Sequence, residues 1–223
     1  MENPPRDERG AALIISLMAV LLLLTLGSVL AVTTAVETRV AGNYAAAQET
    51  LYAAEAAIER ALLDLVTVSD WTTVLNGSRT STFTDGPANG SRNLPDGSVL
   101  NIAEATYMAN CGKKTACTDA ELDAVTEDRP WGENNPRWTP YAYGSLNALA
   151  PTGIDSPAYV IVWVGDDQSE NDNDPTKDGD AETNPGSGVM ALRAEAFGVS
   201  GSRRMIEVTV ARTIHVRSWR EMR

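Results

Sequence analysis

The feature of this chain that most constrains its fold is an apolar, charge-free stretch near the amino terminus. No charged residue lies between Arg9 and Glu37, and residues 11–36 are mostly Leu, Ala, Val, Thr and Ile. A helix that crosses the hydrocarbon core of a bilayer needs about 20 predominantly apolar residues. Residues 11–36 are therefore predicted to form a single transmembrane helix.

The residues before this stretch differ from an ordinary secretory signal peptide. Such a peptide has a positively charged start, an apolar core of about 7–15 residues and a small-residue cleavage site. In residues 1–10 three acidic side chains oppose Arg6 and Arg9, and the leader ends in Gly10. The apolar stretch is also too long for a signal peptide. The sequence therefore predicts a membrane anchor that follows a short polar leader.

The helical pattern continues beyond the membrane boundary. Residues 37–66 are predicted to prolong the helix, because their apolar side chains recur three or four positions apart and polar ones lie between them. At about 1.5 Å per residue the whole helix would be about 80 Å long. Gly42 and Asn43 are the predicted weak point, where the helix bends or melts locally. The apolar positions are Leu51, Ala54, Ile58, Ala61 and Leu65.

Residues 67–223 are predicted to form a soluble domain built on strands. Val, Ile, Thr and Ala dominate several segments, and Ser200-Gly201-Ser202 reads as a hairpin connection between the last two of them. The predicted fold class is α+β, in which the long N-terminal helix packs on a small antiparallel β-sheet. The predicted strands cover residues 98–108, 158–164, 189–199 and 205–216.

An irregular stretch rich in aromatic residues and proline separates the first two of these strands. We interpret residues 118–151 as an ordered loop region that packs its aromatic side chains onto the sheet. A surface that binds a peptide or another ligand is the alternative interpretation. The aromatic residues concerned are Trp131, Trp138, Tyr141 and Tyr143.

Charge and motifs exclude several classes of function. The net charge is −12, whereas binding to nucleic acid requires clustered Lys and Arg, so nucleic acid is not an expected partner. The chain contains no G-x-S-x-G, no H-E-x-x-H and no glycine-rich phosphate loop. The only histidine, His215, lies in a strand-like segment and is interpreted as structural. An enzyme is not expected.

The only two cysteines lie close together in the sequence. Cys111 and Cys117 are too few for a zinc site, which needs four nitrogen or sulfur ligands. In an exported domain they predict a local disulfide. Two reduced, partly buried thiols are the alternative.

Acidic residues crowd into the segment 166–182. Asp174, Asp178 and Asp180, with Gly179 between the last two, partly match the spacing of a calcium-binding loop. Pro185 stands where the final glutamate of such a loop is expected. Calcium is thus a candidate ligand of these three aspartates, a solvated and flexible loop is the alternative, and no other cofactor is expected.

A set of motifs in fixed order resembles a known family. They are Arg-Gly-Ala-Ala-Leu at 9–13, the apolar stretch, Thr-Arg-Val-Ala-Gly-Asn at 38–43 and Ala-Ala-Glu-Ala-Ala-Ile-Glu-Arg at 53–60. Together they resemble the PilX-like minor pilins of type IV pili, within the type IV pilin and pseudopilin superfamily. The resemblance is close over residues 1–65 and looser at the carboxyl terminus. It implies a type IV pilin-like fold.

The resemblance also implies how the chain is processed and what it binds. Residues 1–10 would be a type III leader, cut between Gly10 and Ala11 by the prepilin peptidase, and Ala11 would be N-methylated. The subunit would lie in the bacterial inner membrane as a single-pass protein with a periplasmic domain, and then at the pilus tip or cell surface. Its partners would be other minor pilins, the major pilin, the prepilin peptidase and the inner membrane.

One position departs from the pattern of major pilins. These carry a glutamate five residues into the mature chain, where this sequence has Ile15. Minor pilins that cap a filament share this lack, so the resemblance implies a subunit that initiates or caps a pilus. A tip subunit of a type II secretion pseudopilus and a monomeric, membrane-anchored periplasmic binding protein are the alternatives.

Overall fold

The computed structural model describes residues 9–149, 155–170, 172–179, 187–212 and 215–222. The chain forms two compact units, Met1–Ala45 and Ala46–Arg223. Helix α1 (Arg9–Leu65) begins in the first unit and ends in the second. The helix is uninterrupted at Gly42 and Asn43, so the local melting predicted for this position does not occur.

In the first unit, α1 leaves its apolar side chains uncovered. The large apolar side chains from Leu13 to Val36 are between 52% and 71% exposed, and this is the one described helix that is long and apolar enough to cross a membrane. Its hydroxyl groups are satisfied within the helix. Thr25 donates to the carbonyl of Leu22 and Thr33 donates to that of Val29, which removes the cost of placing these groups in lipid.

In the second unit, α1 buries one side, as the spacing of its apolar residues predicts. Ala54, Ile58, Ala61 and Leu65 are at most 2% exposed, and Leu51 is partly buried. Alanine at several of these positions permits close approach of the helix to the sheet and is the strongest helix former. This stripe contributes to the larger of the two hydrophobic clusters.

Short elements connect α1 to the main sheet. Asn101 caps the third helix, because its side chain accepts a hydrogen bond from the backbone N–H of Glu104, and Gly112 ends that helix in the left-handed conformation at φ 72°. The connecting elements are α2 (Thr72–Leu75), β1 (Ser91–Asn93), β2 (Val99–Asn101), α3 (Ile102–Cys111), α4 (Asp119–Leu122) and a 3₁₀ turn (Gly132–Asn134).

The main sheet has five antiparallel strands whose spatial order is the same as their order in the sequence. A further short helix, α5 (Leu146–Leu149), follows the first of these strands. The strands are β3 (Thr139–Ser145), β4 (Tyr159–Asp166), β5 (Val189–Phe197), β6 (Arg203–Ala211) and β7 (His215–Met222).

Strands β4 and β5 form the centre of the core, because both of their faces are covered. Side chains of a strand alternate between the two faces. In β4, Val160 and Val162 belong to the cluster that contains α1, whereas Ile161 and Trp163 belong to a second cluster with Ile102 of α3. The α+β fold, a long helix packed on an antiparallel sheet, is thus confirmed.

Three sequence-based predictions of strands and loops were wrong in part. Residues 98–108 form a strand only over β2 and are helical from Ile102. The predicted loop 118–151 contains strand β3. The predicted strand 205–216 divides into β6 and the start of β7. The hairpin at Ser200-Gly201-Ser202 is confirmed, since β5 and β6 pair antiparallel on either side of it.

The aromatic residues of segment 118–151 pack mainly into the core. Trp138, Tyr141 and Tyr143 are 1–4% exposed, whereas Trp131 is 40% exposed. The interpretation as a region that packs its aromatic residues onto the sheet is therefore confirmed for three of the four. Of the four aromatic side chains, only that of Trp131 is exposed enough to belong to the ligand-binding surface of the alternative interpretation.

Candidate functional site

The first candidate site is the start of α1, where the predicted cleavage point lies. Gly10 and Ala11 are in the first turn of the helix in the uncut chain, and Ile15 is 66% exposed one turn further on. No acidic side chain lies between Ala11 and Glu37. This segment therefore presents only apolar atoms and internally bonded hydroxyls to whatever surrounds it.

An exposed surface of this size requires a cover. Apolar area in contact with water is unfavourable roughly in proportion to its extent, and soluble monomers rarely expose large contiguous patches. Lipid tails and the apolar helices of other chains are the two environments that suit residues 11–36. The geometry thus supports anchoring in a membrane and lateral packing of helices.

The second candidate site is an acidic cluster at the end of strand β4. Asp166 is the last residue of β4, and Glu170 follows in a turn in which its N–H donates to the carbonyl of Asp167 at 3.1 Å. One carboxylate oxygen from each of Asp166, Glu170 and Asp172 lies within 4.8 Å of the others. This is the one such group of three among the residues that the structure describes.

Burial shapes the electrostatics of this cluster. Asp166 is 5% exposed and Glu170 is 2% exposed. Burial, followed by the negative charge of Glu170, raises the pKa of Asp166 to about 8. Burial and the charge of Asp172 raise the pKa of Glu170 above its ordinary value. The protein therefore strongly disfavours holding both buried carboxyls ionised without a compensating positive charge.

Of the three aspartates that the sequence suggested for calcium, two have other partners and the third lies outside the described residues. Asp174 forms an ion pair with Lys177. Asp178 accepts hydrogen bonds from the N–H of Gly188 at 2.6 Å and from Arg212 at 2.5 Å. Asp180 is not among the described residues.

Sequence reasoning had located the acidic segment but not the residues that come together in it. Asp166, Glu170 and Asp172 all lie in the acidic segment 166–182, but it was the spacing of Asp174, Asp178 and Asp180 that resembled a calcium loop. Glu170 approaches Gly179 so closely that its Oε1 occupies the space that a Cβ on Gly179 would fill. A tertiary approach of this kind leaves no signal in residue spacing.

The two cysteines form a disulfide at the end of α3. Cys111, the last residue of the helix, is bonded to Cys117, with the two Cα atoms 6.1 Å apart. The bridge closes a small loop that leads into α4. It restrains this edge of the domain and contains no free thiol for chemistry.

Comparison with known proteins gives one match. The family model described as PilX N-terminal matches residues 9–59. No curated protein and no solved structure matches the chain. The matched segment includes the apolar stretch and most of the buried stripe of α1, and residues 60–223 lie outside it. Residues 9–59 are therefore similar to the PilX N-terminal family, and the helix that carries them continues onto an antiparallel sheet.

Proposed function

We propose that this chain is a PilX-like minor pilin that helps to initiate assembly of a type IV pilus, or caps it, by packing α1 against the helices of other pilins. The observation that carries the proposal is the charge-free surface of residues 11–36, on which the large apolar side chains are all more than half exposed. In the inner membrane this surface is covered by lipid. Once the subunit leaves the membrane, neighbouring pilin helices replace the lipid.

Processing prepares the segment for this role. The prepilin peptidase removes residues 1–10 by cutting after Gly10, where the lack of a side chain allows the enzyme to approach the backbone closely. Removal of the leader eliminates its charged residues and leaves the apolar stretch at the new terminus. Ala11 then becomes the N-methylated first residue, and the domain of residues 67–223 stays on the periplasmic side.

The absence of an acid in the apolar stretch supports a position at one end of the filament. A terminal amine buried among apolar helices requires a counter-charge. The amine of Ala11 can be compensated by a glutamate of a neighbouring pilin. This chain has Ile15 where such a glutamate would be, so it cannot compensate the terminal amine of the next pilin. It therefore suits an end of the filament, where no further amine has to be compensated. Other minor pilins and the major pilin are the partners that supply the remaining contacts.

A substitution at position 15 tests this proposal. Ile15→Glu is expected to reduce the number of pili or to move the subunit from the tip into the shaft. Ile15→Leu is the matched control and is expected to change neither. Electron microscopy with antibodies against the soluble domain measures both quantities. Unchanged pilus number and unchanged tip labelling in Ile15→Glu would contradict a role for the missing charge.

Two further measurements separate this proposal from its alternatives. Mass spectrometry of the purified subunit is expected to show a methylated Ala11 as the first residue, in wild type and in both variants. An intact Met1 would instead indicate a plain membrane anchor. Deletion of the gene is expected to reduce piliation. Loss of protein secretion with normal pili would place the subunit in a type II secretion system.

A further inference from the structure

We propose that Asp166, Glu170 and Asp172 form a calcium-binding site in the soluble domain. The set differs from the one that residue spacing suggested, and the proposal is independent of the role in pilus assembly. Three carboxylates are hard oxygen ligands, which is the chemistry that Ca²⁺ selects. Mono- or bidentate carboxylates together with water complete the six to eight oxygens that this ion takes.

The carboxylate oxygens are close enough to bind one calcium ion together. Calcium binds its oxygen ligands at about 2.3–2.6 Å, so two ligands of one ion lie no more than about 5 Å apart. In the structure, one oxygen from each of the three carboxylates lies within 4.8 Å of the others. A single cation can therefore contact all three side chains with little rearrangement.

The buried oxygens lack other partners, which is the independent observation that points to a ligand. Oδ1 of Asp166 and both oxygens of Glu170 are inaccessible to water and have no hydrogen-bond partner within the described part of the chain. Buried carboxylates are ordinarily paired, hydrogen-bonded or bound to a metal. The other carboxylates of this loop follow that rule, since Asp174 pairs with Lys177 and Asp178 pairs with Arg212.

Local structure holds the cluster in place. The end of β4 fixes Asp166, because its neighbours Val164 and Gly165 pair with Leu192 and Ala191 of β5. The absence of a side chain at Gly179 provides the space that Glu170 occupies. The site thus begins at the carboxyl end of β4, an interior strand of the main sheet.

Calcium titration of the full chain in detergent micelles tests the proposal. After treatment with a chelator, wild type is expected to bind one Ca²⁺ per chain by isothermal titration calorimetry. Its Tm should rise by roughly 5–10 °C at a concentration about 100-fold above Kd. No heat and no change in Tm up to millimolar calcium would overturn the proposal.

Three variants locate the site within the acidic loop. Glu170→Gln and Asp166→Asn are expected to weaken calcium binding by roughly tenfold or more. Each is expected to be at least as stable as chelator-treated wild type, because it removes a buried, uncompensated charge. Asp174→Asn is the matched control and should keep the affinity of wild type. Normal calcium binding by Glu170→Gln, or its loss in Asp174→Asn alone, would overturn the assignment of these ligands.

Discussion

At the scale of single residues, the lack of a side chain at Gly198 allows helix α1 to contact the turn between β5 and β6. Thr50 of α1 is 1% exposed, and its Oγ1 lies 2.6 Å from Oγ of Ser202 in that turn. A Cβ on Gly198 would collide with both hydroxyls. Gly198 has an ordinary φ of −106°, so space is what requires glycine here, not backbone conformation.

Gly198→Ala is therefore expected to lower the free energy of unfolding of the soluble domain by about 1–3 kcal/mol, as overpacking of a core does. Gly42→Ala is the matched control. It lies inside α1, where nothing approaches a new Cβ within 4 Å, so alanine should be neutral or stabilise the helix by up to about 1 kcal/mol. Chemical denaturation followed by tryptophan fluorescence measures both. Equal stability of the two variants would show that the turn adjusts freely.

At the scale of elements, α3 depends on signals at its two ends. Its interior mixes apolar and polar residues, which is why residues 98–108 were predicted as a strand. Asn101 caps its start and Gly112 ends it. The disulfide between Cys111 and Cys117 then ties the helix to the loop that follows. This element covers the second face of the sheet through Ile102.

Reduction of the disulfide is expected to destabilise the soluble domain by about 2–3 kcal/mol, because the closed loop is short. Denaturation of the wild type with and without a reducing agent measures this difference. The double variant Cys111→Ala/Cys117→Ala should resemble reduced wild type and should not respond to the reductant. If wild type is equally stable in both conditions, the disulfide does not contribute to the free energy of unfolding.

The apolar pattern of each element determines whether it could be predicted from sequence. Helix α1 and strands β4 and β5 were predictable because their apolar patterns are long and regular. Strand β3 was missed because it contains Pro140 and Gly144, which ordinarily mark turns. Pro140 is accommodated because β3 is an edge strand whose register shifts between Pro140 and Ala142.

The candidate sites also differ in how far they could be predicted from local sequence. The apolar segment 11–36 and the cysteine pair depend on local sequence and could be found there. The acidic loop could also be located, but the approach of Glu170 to Gly179 depends on tertiary packing, and spacing alone favoured Asp174 and Asp178. Their pairing with Lys177 and Arg212 is likewise a result of the folded structure.

At the scale of the whole molecule, the two units differ in how much of their apolar surface they bury. The unit Ala46–Arg223 contains two hydrophobic clusters of its own. Residues 11–36 contribute nothing to either cluster and keep their apolar side chains exposed. The packed core of the described residues therefore lies in the second unit, and the exposed apolar stretch lies in the first.

A chain of residues 37–223 is accordingly expected to stay monomeric without detergent and to keep the thermal unfolding of the full chain. The full chain is expected to aggregate when detergent is removed. Size-exclusion chromatography and circular dichroism measure the two properties. Aggregation or loss of helix and strand signal in residues 37–223 would show that the soluble unit needs the apolar segment in order to fold.

The burial of α1 by strands from the far end of the chain has a consequence for biogenesis. A ribosome makes Ala54 and Ile58 early, whereas Leu192, Ile206 and Val208, which belong to the same cluster, emerge last. Until these late strands have been synthesised, the helix stripe has no permanent cover and is open to capture by chaperones. Premature termination before β6 would therefore leave an anchored but unfolded subunit, a natural substrate for quality-control proteases.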